Sequence, residues 1–164
     1  MEPIPIKIKQ QRKRLTVIAN YETKDKLLKA HIDEINKTYT HGCYTACFIL
    51  CRKVLENLLL NILKVKYPGK DKTHREKYWD FSRNRPLEFS KLVESLRKNK
   101  DNFSPENQLV ERICDLADEF KETANEMTHS LYHIATKKEI DETRFQYILD
   151  LIKELSKKHL NELV

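Results

Sequence analysis

A chain of 164 residues with 40% hydrophobic side chains is long enough to bury one core and fits a single domain. Only two glycines and five prolines in that length exclude a disordered or turn-rich all-β chain and leave a helical one. The net charge of +6 leans toward anionic partners such as nucleic acid, a weak pointer on its own, and 34% charged residues suit long helices with solvated outer faces.

Residues 1–14 read as a basic arm. Ile4, Ile6 and Ile8 alternate with Pro5 and Lys7, an extended pattern in which proline forbids a central strand. Lys7, Lys9, Arg12, Lys13 and Arg14 give the arm its charge, and it either covers another subunit, touches an anionic ligand or serves as an unstructured leader. Met1–Lys9 has no continuous apolar core, so no secretory segment is expected. A first helix is predicted from Glu22 to Thr38 with Leu28, Ile32, Ile35 and Tyr39 as its seam, ended by His41-Gly42. A second, Cys43 to Val65, is apolar on nearly every side at first. It becomes half polar through Arg52, Lys53, Glu56, Asn57, Asn61 and Lys64, the pattern of a helix in the middle of a bundle. Arg52, Lys53 and Glu56 interrupt this longest apolar run, so no membrane span is expected. Pro68-Gly69 ends it.

Lys70 to Arg85 forms a loop rich in cations and aromatics, among them Arg75, Trp79, Phe81 and Arg83. Pro86 then suits the first turn of a third helix striped with Leu87, Phe89, Leu92, Val93 and Leu96. Ser104-Pro105 reads as an N-cap and first helical position for a fourth, Glu106–Ile134. Its seam is Val110, Ile113, Ala117, Phe120, Ala124, Met127, Leu131 and Ile134, with Asp118, Glu122, Asn125, His129 and His133 as a polar spine on roughly the opposite face. A fifth helix covers Asp141 to Leu163 with Phe145, Ile148, Ile152, Leu155 and Leu163 inward. No internal repeat and no second domain is visible. The expected architecture over 1–164 is one all-α, four- to five-helix up-and-down bundle with short connections.

Three constellations invite chemistry. Cys43, Cys47 and Cys51 share a helical face, but their spacing is wider than the usual metal-binding C-x-x-C and their surroundings are apolar, so they read as core, in a reduced cytoplasmic setting. Glu126-Met127-Thr128-His129 has the E-x-x-H spacing of di-iron bundles, yet no second copy exists, and His129 with His133 lacks a third zinc ligand. No metal or cofactor is therefore expected. Cys114 and Ser130 lack an evident activating base, and Gly42 and Gly69 cannot assemble a phosphate loop. The Lys70–Arg85 segment supports two readings. Arg75, Trp79 and Arg83 can contact single-stranded nucleic acid through phosphate pairing and base stacking, or the aromatics can plug one end of the bundle; the length of the connection favours the plug.

Thr45-Ala46-Cys47-Phe48-Ile49-Leu50-Cys51-Arg52-Lys53-Val54-Leu55-Glu56-Asn57-Leu58-Leu59 resembles the helix A-x-x-x-x-C-R-[KR]-x-L-E-x-x-L of a widespread prokaryotic domain of unknown function, often fused to restriction-system subunits. Ala124-Asn125-Glu126-Met127-Thr128-His129 resembles that family's later G-N-x-x-[AG]-H-like segment, and the resemblance spans about Tyr39 to Leu155. The family is similar to the HEPN superfamily, whose active members are metal-independent ribonucleases with an R-x4–6-H motif facing its twofold mate across a dimer cleft. The resemblance implies a HEPN-like bundle and a homodimer in which Asn125 and His129 line the cleft, with Arg52 and Glu56 as neighbours and His133 on the same spine. The motif arginine is absent: it would fall at Glu122, Thr123 or Ala124, and Lys121 points elsewhere on the helix. Metal-free RNA cleavage needs a base, which an imidazole supplies, and a cation for the developing phosphorane charge. The resulting expectation is a non-catalytic module binding RNA, nucleotide or a protein partner, in a defence or toxin–antitoxin setting. The alternatives are a divergent ribonuclease with His129 as base, Asn125 orienting substrate and Arg52 as cation, or a structural bundle with a merely hydrated spine.

Overall fold

The computed structural model describes residues 14–159; the basic arm up to Lys13 and Leu163 lie outside them. Five helices of ten residues or more carry the described fold: α1 (Lys26–Thr40), α2 (Tyr44–Lys66), α4 (Phe89–Lys98), α5 (Asn107–His129) and α7 (Phe145–His159). Short α3 (Lys72–Arg75) and α6 (Lys137–Glu142), a 3-10 turn at Lys100–Phe103 and a two-stranded ribbon, β1 (Trp79–Asp80) with β2 (Arg85–Pro86), fill the connections. The described residues are all-α apart from that ribbon. Among the described residues no helix is long and apolar enough to cross a membrane.

α2 runs through the middle, packing against α1, α4, α5, α6 and α7. Its apolar first half buries Cys47, Phe48, Cys51, Val54 and Leu55, and its later turns bury Leu58, Leu59, Ile62 and Leu63. Cys43, at its start, is exposed while the other three thiols are buried. Phe48 of α2, Phe120 of α5 and Phe145 of α7 form an aromatic chain across the core, with ring centroids 6.1 and 5.8 Å apart. The predicted seam of the first helix is buried in full, and α1 ends two residues later than expected. There the amides of Gly42 and Cys43 reach back to the carbonyls of Tyr39 and Thr38, at 3.1 and 2.8 Å, and Gly42 adopts φ +75°. This is the left-handed C-terminal closure that a Cβ would oppose.

α1 also begins four residues later than expected, at Lys26 rather than Glu22, and the last helix at Phe145 rather than Asp141; three further boundaries differ for identifiable reasons. α4 begins at Phe89 rather than Pro86, because Pro86 pairs with Trp79 in the ribbon and the Leu87 amide bonds the Tyr78 carbonyl at 2.9 Å. α5 begins at Asn107, not at Ser104-Pro105. Phe103 is fully buried and Asn102 donates to the Tyr67 hydroxyl at 2.7 Å, so the turn before α5 is pinned to the end of α2. The Ser104 hydroxyl closes that turn on the Asp101 carbonyl instead of capping the helix. The largest difference is the far end of α5. The helix stops at His129, so Leu131 and Ile134 are not seam residues but 97% and 82% exposed, with Tyr132 fully exposed between them. The chain turns back because the Ala135 amide bonds the Thr45 hydroxyl at 3.1 Å and Thr136 with Glu139 forms a reciprocal capping box that starts α6.

Before α1, the chain from Thr16 runs back along that helix. Buried Asn36 accepts from the amides of Ile18 and Ala19 and donates to the Ala19 carbonyl, at 2.8, 3.0 and 2.8 Å. Gln146 of α7 makes a reciprocal pair with the backbone of Asn20. Two side-chain amides thus fasten Ile18–Asn20, which sequence patterning assigns to no element.

Candidate functional site

α2 and α5 cross so that Arg52 donates from Nη1 to Asn125 Oδ1 at 2.6 Å. Both side chains are half-buried. A guanidinium carries five N–H donors in a planar fork, and this bond uses one of them. His129, one helical turn beyond Asn125, is the last residue of α5 and is exposed. Its ring makes no hydrogen bond or ion pair among the described residues. Glu56, one turn after Arg52 on α2, is half-buried; desolvation pushes its carboxyl above the ordinary value, with Arg52 and the Phe89 amide pulling it back and Glu88 adding to the rise. Of the four predicted site residues, Arg52 and Asn125 meet at the α2–α5 crossing, while Glu56 and His129 lie one helical turn beyond them on α2 and α5 respectively. Glu56 also borders a separate pocket between α1 and the start of α4.

His133 does not belong with them. It lies beyond the end of α5, and its Nε2 meets the Glu139 carboxylate at 3.0 Å, drawn to α6 by the capping box. The spine loses its last member because the helix ends before it. Asp118, higher on the same helix, is likewise engaged elsewhere: Arg97 of α4 reaches Asp115 and Asp118 at 2.8 and 2.9 Å and also pairs with Glu111.

Arg75, Trp79 and Arg83 lie in the segment between α2 and α4, where Arg75 meets Trp79 and Arg83 is engaged separately. The Arg75 guanidinium sits over the rings of Trp79 and Phe81, 5.2 and 5.3 Å from their centroids. Arg83 pairs with Glu88 at 2.7 Å, and Arg85 pairs with the same carboxylate. Trp79 is half-buried with its indole N–H enclosed and without a partner among the described residues, whereas Phe81 is exposed. Arg83 and Arg85 are thus paired within the segment, and of its aromatics Tyr78 packs against the core while Phe81 stays exposed. Ser95 ties the segment down by donating to the Lys77 carbonyl at 2.6 Å.

Sequence reasoning missed Arg97 and the Thr136–Glu139 box. The box had a legible signal, Thr-x-x-Glu ahead of Ile140; the Arg97 clamp had none, since it depends on how α4 lies against α5. A scan against protein-family models and searches of curated proteins and of solved structures give no match to this chain.

Proposed function

We propose that this protein is a HEPN-like, non-catalytic helical module that binds RNA through the α2–α5 crossing, and that it does so as a homodimer. The reading is supported by the Arg52–Asn125 hydrogen bond, which joins the two segments that carry the family resemblance and leaves most of the guanidinium fork free for phosphate. His129 opens to solvent one turn further on, where it can add a hydrogen bond to the same strand. The exposed Leu131, Tyr132 and Ile134 directly after it form an apolar edge of the kind that a second subunit covers. A defence or toxin–antitoxin role follows from the resemblance alone.

Titrating single-stranded RNA at rising salt tests this. Binding is expected to fall with a log–log slope of about −2 to −3, the value for three to four phosphate contacts. Absence of binding at low salt overturns it.

One observation favours a second reading, a divergent ribonuclease: Arg52 brings a cation to Asn125, one turn before His129 on α5, where the motif arginine is missing from the helix of His129 itself. Incubation with RNA beside a His129→Ala control separates the two. Cleavage lost in the variant moves the assignment to catalysis, and equal cleavage or none removes it.

A further inference from the structure

α1 and α4 both pack on α2 and leave a pocket of about 480 Å³ between them. Its floor is apolar, made by Leu28 of α1, Val54 of α2 and Leu92 of α4. Leu60 and Leu87 form walls, and Leu27, 74% exposed, stands on the rim. The volume lies within the range that holds small organic ligands, and such sites combine apolar walls with a few placed polar groups.

The polar groups differ in what they have left to offer. The Asp25 carboxylate is used on the amides of Leu27 and Leu28, at 2.8 and 3.1 Å, as the cap of α1. The His31 ring holds the Leu27 carbonyl through Nδ1 at 2.7 Å, so that nitrogen is the donor and Nε2 is left as an acceptor in the neutral ring. Glu56 has no ion pair among the described residues and is half-buried, although Lys53 lies on the same rim. The Phe89 amide bonds this carboxylate and Arg52 lies one turn before it, but no cation stands within ion-pair distance among the described residues. A partly desolvated carboxylate of this kind, set against leucine and valine, is complementary to a cation carried on an apolar body.

We propose that this pocket binds a small apolar molecule bearing one protonated amine, with Glu56 taking the ammonium and Leu28, Val54, Leu60, Leu87 and Leu92 the hydrocarbon. The pocket meets the proposed RNA site only through Glu56, one turn after Arg52 on α2; its apolar lining shares no residue with the Arg52–Asn125–His129 group.

The test uses the full chain and three probes of one shape: 2-phenylethylamine, 2-phenylethanol and phenylacetate. In 1H–15N spectra the amine is expected to shift the amides of Leu28, His31, Glu56, Asn57 and Leu87 with a saturating millimolar affinity, about tenfold tighter than the alcohol, the ratio that one charge-assisted bond supplies. Phenylacetate should bind more weakly than either. Glu56→Gln, whose fold the same spectrum reports, should level the amine with the alcohol, and Leu27→Lys at the rim should weaken the amine alone. Three results overturn the proposal: no saturable shifts with any probe, equal affinity for all three in the unaltered protein, or an amine preference that survives in Glu56→Gln.

Discussion

At Arg52, one hydrogen bond joins the two helices that carry the proposed site, so structural and binding roles meet in one side chain. Removing the guanidinium leaves the half-buried Asn125 oxygen without its donor. Arg52→Ala should therefore lower the unfolding free energy by about 1–2 kcal/mol, the lower part of the range for charged hydrogen bonds because both groups keep some contact with water. Urea denaturation reads this, and Arg52→Lys should recover only part of the loss, since an ammonium cannot copy the planar fork. RNA titration separates the roles: Arg52→Ala should reduce the salt slope by about one unit, while Asn125→Ala should destabilise to a similar degree and leave the slope unchanged. If Arg52→Ala loses stability but keeps the slope, its contact is purely structural. The pairing itself was not legible in the chain. Periodicity puts Arg52 on the polar side of α2 and Asn125 opposite the seam of α5. The register between the helices is decided by core packing across them, as where Phe48 meets Phe120.

Between elements, α4 is held to α5 by one guanidinium among three carboxylates, with Lys100 adding a bond to Glu111 at 2.6 Å. The Lys100 ammonium and the Arg97 guanidinium hold the Glu111 carboxyl below its ordinary value. A carboxyl depressed in the folded state contributes stability that is complete above the unfolded value of about 4.3 and is lost as pH falls through the folded one. The gap in urea midpoint between the unaltered protein and Glu111→Gln should thus be widest at neutral pH and close in acid. Added salt should also narrow it, because these groups are partly exposed. A gap that is constant across pH would show that Glu111 acts through packing instead. The same scale shows what patterning conveys. The seam of α1, the stripe of α4 apart from half-buried Leu87, and the first six seam positions of α5 are buried as their spacing predicts, because apolar recurrence at three and four reports the face a helix must hide. Spacing does not report where a helix runs out of neighbours. Leu131 and Ile134 continue the repeat of α5, but the bundle ends at His129 and the Thr45 and Thr136 bonds pull the chain back. Nor does it report the ribbon, which keeps Pro86 from opening α4.

For the molecule as a whole, the apolar edge after His129 is where the proposed dimer is most exposed to test. In a single chain, Leu131, Tyr132 and Ile134 contribute almost nothing to the core, so changing them should alter monomer stability by less than about 0.5 kcal/mol. Burying the same residues against a second copy would stabilise association by roughly 1.5–3 kcal/mol for each large side chain fully covered. Light scattering at micromolar concentration should therefore give twice the mass of one chain. Leu131→Asp with Ile134→Asp should give the mass of one chain with an almost unchanged melting temperature. If the RNA groove is walled by both copies, the double variant should also bind RNA more weakly, although neither substitution removes a cation. A single-chain mass for the unaltered protein would refute the shared groove and return His129 to an open surface. Association that survives the double substitution would place the interface on another face of the bundle. A variant that dissociates and still binds RNA with the full salt slope would make each chain a complete binding unit, with Arg52, Asn125 and His129 of one α2–α5 crossing sufficient for the contact.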